Sequence, residues 1–90
     1  MGAEESVRRQ VILAHENGLH LTPITRLVQE LNEFQSDVTL TYDGKAASGK
    51  SAVELMLLGA TEGSELLVEA HGTDASAAAD AAEKILTTVE

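Results

Sequence analysis

Ninety residues with 43% apolar side chains suit one small domain with a single core. Fifteen acidic residues stand against six basic ones, for a net charge of −9, and aromatics are limited to one Phe and one Tyr. That balance lacks the positive footprint and stacking platforms of a nucleic-acid binder and the positive face of a membrane-surface protein. With no cysteine, neither a disulfide framework nor a thiolate metal site is available, and His15, His20 and His71 show no ligand spacing.

No apolar run approaches the roughly 20 residues of a membrane-spanning helix. The stretch Met1-Gly2-Ala3-Glu4-Glu5 is acidic and unlike a signal peptide. Gly2 followed by Ser6 fits the loose myristoylation pattern, which is short, common and discounted here. A cytoplasmic protein is expected.

A first strand is expected from about Val7 to Ala14, although Val11 to Ala14 is a continuous apolar run. Ile24, Leu27, Val28, Leu31 and Phe34 recur with the spacing of one face of an amphipathic helix. Pro23 suits that helix's first turn, where its missing N–H has no intrahelical role. Val38, Leu40 and Tyr42 alternate with polar residues as a half-buried strand. Asp43-Gly44 signals a hairpin, with Lys45-Ala46-Ala47 as the returning strand. A short apolar segment from Ser51 to Leu58 stops at Gly59, and Glu62-Gly63 turns the chain again. Leu66, Val68 and Ala70 mark a last strand, and Gly72-Thr73-Asp74 supplies a turn and an N-cap. Ala78, Ala81, Ala82, Ile85 and Val89 form the stripe of a terminal helix. The order β-α-β-β-α-β-α describes an α+β fold, an antiparallel sheet with helices on one face.

His20 lies in Asn17-Gly18-Leu19-His20-Leu21-Thr22-Pro23, between a turn and a helix start. First-turn amides have no intrahelical partner and attract anions, phosphate above all. A histidine there can be nucleophile and cradle for a phosphoryl group, or simply a polar loop residue near a cap.

A second stretch competes with it. Gly44-Lys45-Ala46-Ala47-Ser48-Gly49-Lys50-Ser51 matches the phosphate-binding pattern G-x-x-x-x-G-K-[ST]. In a nucleotide-binding protein Lys50 would reach the β- and γ-phosphates and Ser51 would hold magnesium. Such a loop needs a parallel sheet with crossover helices, which a hairpin and three helices cannot supply. The Asp43-Gly44 turn also takes the first glycine, and the last strand has no acidic magnesium partner at its end. Nucleotide binding is therefore set aside.

Taken together the two stretches resemble the histidine-containing phosphocarrier (HPr) family of the bacterial phosphotransferase system. The likeness runs through Asn17-Gly18-Leu19-His20 and Pro23, Phe34-Gln35-Ser36, Gly44-Lys45, Lys50-Ser51, Leu58-Gly59-Ala60, Gly63, Ala70-His71-Gly72 and Asp74. It implies an open-faced β-sandwich, a four-stranded antiparallel sheet covered on one face by three helices, over the whole of residues 1–90. It further implies that His20 accepts a phosphoryl group on Nδ1 from Enzyme I and passes it to sugar-specific acceptor proteins. Amides at Leu21 and Thr22 would stabilise the added charge, and Asn17 would orient the imidazole. By the same resemblance Ser51 corresponds to the residue that HPr kinase/phosphorylase modifies. Ala52, Val53, Met56 and Leu57 would include the apolar docking patch, with some of them facing the core. The implied protein is a monomeric carrier without cofactor or metal, not an enzyme.

The chain departs from the family at one point. The family's His-x-Arg-Pro carries arginine where this chain has Thr22. A guanidinium donates two parallel, charge-assisted bonds to phosphate, and threonine can donate one neutral bond. Charged bonds contribute roughly 1.5–3 kcal/mol, so the loss could be about ten- to a hundredfold in transfer. Arg26, one helical turn on, either substitutes for the missing arginine or is an ordinary solvated residue. The second reading is a regulatory protein of the same fold, with weak transfer at His20 and signalling through phosphorylation of Ser51, where the plain alternative is an N-cap serine. His15 and His71 are expected to be incidental surface or strand-end residues.

Overall fold

The computed structural model describes residues 4–89; the Gly2 pattern therefore falls outside the described residues. Four strands and three helices follow in the order β1 (Glu5–Ile12), α1 (Leu21–Leu31), β2 (Asp37–Tyr42), β3 (Lys45–Ser48), α2 (Ala52–Leu57), β4 (Glu65–Gly72) and α3 (Ala75–Thr87). The strands pair antiparallel in the spatial order β1-β4-β2-β3. Each strand alternates because one face meets helices and the other meets water. Val7 and Val11 of β1, Val38 and Leu40 of β2, Ala47 of β3 and Leu66, Val68 and Ala70 of β4 point inward. They meet Ile24, Leu27 and Leu31 of α1, Leu55 of α2, and Ala75, Ala78, Ala79, Ala82, Ile85 and Leu86 of α3. The alanines let α3 lie close against β1 and β4, where a larger side chain would hold it away.

The β2–β3 connection is the expected two-residue turn. Asp43 and Gly44 both have positive φ, 51° and 78°, as a type I′ hairpin turn requires. Arg9, on the inner face of the edge strand β1, reaches over α3 to pair with Asp80 and, at 3.2 Å, with Glu83.

Four expectations change. β1 ends inside the apolar run Val11 to Ala14, at Ile12, so Leu13 and Ala14 do not continue it. Ile12 pairs with Glu65, the first residue of β4, so the ladder has no further partner. Beyond it Leu13 donates its amide to Ser64 and Ala14 to Leu86, and the chain stays extended against different neighbours. Burial nonetheless alternates: Val11 and Leu13 are buried and Ile12 is half exposed.

Phe34 lies past the end of α1 and packs against the core from the following turn. Val89 does not continue the α3 stripe, because Thr88 turns extended (φ −109°, ψ 118°) and takes it off the helical spacing; it is exposed. Asp74 sits at the N-cap position of α3 but makes no side-chain cap bond. Its carboxylate instead accepts from the amides of Gln35 and Ser36 and from the Ser36 hydroxyl, tying the start of α3 to the loop before β2.

Candidate functional site

The loop between β1 and α1 is held by its backbone. Gly18 has φ +75° and donates its amide to the His15 carbonyl, while Leu19 donates to the carbonyl of Ala60. A Cβ on Gly18 would come within 2.6 Å of that Ala60 oxygen, so glycine is needed for both conformation and space. This contact brings the segment after α2 beside the histidine loop.

His20 is the N-cap residue of α1, with extended backbone (φ −105°, ψ −170°). Its carbonyl accepts from the Ile24 amide at 3.1 Å, the first bond of the helix. The ring takes the place of the usual Ser or Asp cap: Nδ1 accepts from the Thr22 amide over a long 3.5 Å. An accepting Nδ1 in a neutral imidazole puts the proton on Nε2 and leaves the Nδ1 lone pair at the helix N-terminus. Pro23 has no N–H and the Ile24 amide is engaged, so the amides of Leu21 and Thr22 are the first-turn donors that a group on Nδ1 would meet.

A cavity of about 250 Å³ opens at this point, lined by His20, Asn17, Thr22, Pro23 and Arg26 together with His15, Glu16 and Val89. The structure thus gathers Asn17, Thr22 and Arg26 around His20. Arg26 is half buried in this wall. Leu21 contributes backbone, while its side chain is 64% exposed.

His15 is not incidental surface: it is 9% exposed, its Nε2 lies 2.7 Å from the Ile85 carbonyl, and its ring stands edge-to-face with that of His20. The available signal was its phase, two and four residues beyond the inward-pointing Leu13 and Val11. His71 is an exposed residue near the end of β4, between Ser6 and Glu4.

The competing glycine-rich motif is a hairpin strand and a helix cap. The amides of Ser48, Gly49, Lys50 and Ser51 all have internal acceptors: the Glu54 carboxylate, the Val38 carbonyl, the Ser48 hydroxyl and the Ser48 carbonyl. Lys50 directs its ammonium to the Phe34 carbonyl at 2.9 Å. With the donors and the lysine already engaged, this segment has no anion cradle to offer.

Ser51 is the half-buried N-cap of α2, its hydroxyl accepting from the Glu54 amide at 3.3 Å. In α2 only Leu55 is buried, while Val53, Met56 and Leu57 are 58–72% exposed and Ala52 is exposed as well. The expectation that some of these four face the core is corrected: Leu55 and Leu58 fill that role. Among the described residues no group of three or more acidic or histidine side chains is arranged to hold a metal ion, and no helix is long and apolar enough to cross a membrane.

Comparison with known proteins agrees with this geometry. The PTS-HPr family model, described as "PTS HPr component phosphorylation site", matches residues 7–88. Phosphocarrier protein HPr of Buchnera aphidicola subsp. Baizongia pistaciae is 35% identical over 83 residues, covering 92% of this chain and 98% of the relative. The crystal structure of a phosphocarrier protein HPr from Bacillus anthracis str. Ames superimposes with a TM-score of 0.86 at 32% identity, over 90% of this chain and 96% of that one. The solution structure of Crh, the Bacillus subtilis catabolite repression HPr, gives a TM-score of 0.67 at 35% identity, over 89% of this chain and 95% of its own.

Proposed function

The chain belongs to the HPr phosphocarrier family of the phosphotransferase system, and from that premise we propose that His20 receives a phosphoryl group on Nδ1 from Enzyme I and hands it to sugar-specific acceptor proteins. The observation that carries this reading is the placement of Nδ1 at the head of α1, facing the Thr22 amide. The lone pair attacks phosphorus as the bond to the donor breaks, and the imidazole proton stays on Nε2. The new charge then faces the first-turn amides of Leu21 and Thr22, a helix-end interaction of roughly 0.3–1 kcal/mol, up to about 2 where partly buried. Arg26 and Asn17, in the same cavity wall, stabilise and orient the group.

The protein acts as a carrier, consumed and regenerated by its partners, in the cytoplasm and as a monomeric single domain. Val53, Met56 and Leu57, with Ala52, form the docking face, and the Leu19–Ala60 bond sets the end of that helix beside the His20 loop. The test is incubation with Enzyme I and phosphoenolpyruvate, following acid-labile phosphate. Wild type takes up label and His20→Ala does not; an unlabelled wild type overturns the reading, and a labelled His20→Ala moves the site.

A second reading, regulation through Ser51, draws support from the likeness to the catabolite repression HPr and from Thr22 in place of arginine. A phosphate on the Ser51 hydroxyl would replace the cap bond to Glu54 and meet first-turn amides. It would also stand near the Glu54 carboxylate, whose repulsion opposes it. Incubation with HPr kinase/phosphorylase and ATP, with Ser51→Ala as control, decides this: acid-stable phosphate on wild type alone supports it.

A further inference from the structure

We propose that His15 is a positioning residue for His20, holding the acceptor imidazole in the orientation that keeps Nδ1 at the helix N-terminus. The Ile85 carbonyl can only accept, so the 2.7 Å bond fixes the proton of His15 on Nε2. Ile85 is two residues from the end of α3, where carbonyls lack intrahelical donors, so this bond also closes the helix. Ala14 donates to the neighbouring Leu86 carbonyl, which leaves His15 clamped through both backbone and ring. The His20 ring, by contrast, makes a 3.5 Å contact to the Thr22 amide, too long to fix a ring by itself. Among the described residues His15 also meets that ring, at 6.4 Å between centroids and 75° between planes, within the attractive edge-to-face range. The end of α3 is therefore linked through one buried imidazole to the acceptor.

The orientation stands on the geometry alone, and its effect on transfer rests on the reading of His20 as acceptor. Two substitutions separate the ring from the bond. His15→Gln keeps an amide donor for Ile85 and loses the ring; His15→Phe keeps a ring and loses the donor. Nitrogen-15 ring spectra report the tautomer of His20, thermal melting reports the fold, and labelling by Enzyme I and phosphoenolpyruvate reports transfer.

In wild type, a slowly exchanging His15 Nε2 proton and a His20 proton confined to Nε2 are expected. His15→Gln should melt near wild type, show mixed tautomers at His20 and label about two- to tenfold more slowly. His15→Phe should melt lower while keeping the His20 tautomer. An unchanged His20 tautomer in His15→Gln overturns the proposal, as does a wild-type rate in that variant. If no form takes up label, the carrier reading fails, and the ring spectra still decide the orientation: altered tautomers support it and unaltered ones overturn it.

Discussion

The Asp74 carboxylate is bound to Ser36, 38 residues earlier in the chain, through the Ser36 amide at 2.8 Å and hydroxyl at 2.5 Å. The Ser36 hydroxyl and the Gln35 and Ser36 amides hold this carboxyl below the usual carboxylate range. A folded-state value depressed below the unfolded one contributes stability that is present above the unfolded value, and it is lost as pH falls through the folded value. Asp74→Asn should therefore be less stable than wild type near neutrality. The gap should close on acidification, with its midpoint below 3.8, the ordinary value. Urea unfolding of both proteins from pH 7 down to pH 2 measures it, and a gap that is constant with pH would contradict the assignment.

Leu55 and Leu57 differ by two positions and by opposite surroundings: the first is fully buried and the second is 72% exposed. Leu55→Ala removes core volume and should cost about 2–5 kcal/mol. Leu57→Glu should change stability by no more than about 0.5 kcal/mol, as surface substitutions do. It should instead raise the Enzyme I concentration needed for half-maximal labelling severalfold, because it places a charge in the proposed docking face. Denaturant unfolding beside a labelling titration reads both, and a Leu57→Glu protein that titrates like wild type would remove α2 from the interface.

Most of the architecture was legible in the residues because each element buries a single face. The α1 spacing, the alternation of β2 and β4 and the Asp43-Gly44 turn each match the structure to within a few residues. What failed depended on partners that local pattern does not encode. The end of β1 is set by where β4 begins, and the end of α3 by the extended turn at Thr88, which put Val89 in the cavity wall instead of the core. The motif Gly44 to Ser51 resembled a phosphate loop in letters alone, since its amides are already bonded, to Glu54 and Val38 outside it and to Ser48 within it. His20 stood out through its neighbours Gly18 and Pro23. The second imidazole, His15, was readable only as the next inward position after Leu13.

Gly18 joins the histidine loop to the turn after α2 at a distance that admits no side chain. Gly18→Ala would need a positive φ and would set its Cβ 2.6 Å from the Ala60 oxygen, a backbone atom with little room to yield. Strain in such a conformation costs about 1–3 kcal/mol. Relief of the clash would move the loop that carries His20. The expected result is a stability loss of at least about 1 kcal/mol together with a slower labelling rate in the fully folded protein. Gly44→Ala is a useful control, because its Cβ would meet nothing within 4 Å and only the backbone cost applies. Equal labelling rates for the two variants would show that the Gly18 contact does not position His20.

Thr22 supplies the amide opposite His20 Nδ1, but its exposed side chain stands where the family's motif carries arginine. Thr22→Arg would add a charged fork at the mouth of the cavity while leaving the backbone donor in place. A charged bond exceeds a neutral one by about 1 kcal/mol or more, so labelling should rise roughly tenfold. Arg26 shares the same wall from the next turn of α1, and its guanidinium is the cation nearest in sequence to take over that role. If it does, Arg26→Ala should slow wild type about three- to tenfold and should matter much less in the Thr22→Arg background, because two cations serving one phosphoryl group are not additive. Labelling rates for the two single variants and the double variant form the cycle. Additive effects would mean that Arg26 acts independently of the phosphoryl group, and the weakened chemistry would then rest on the helix amides alone.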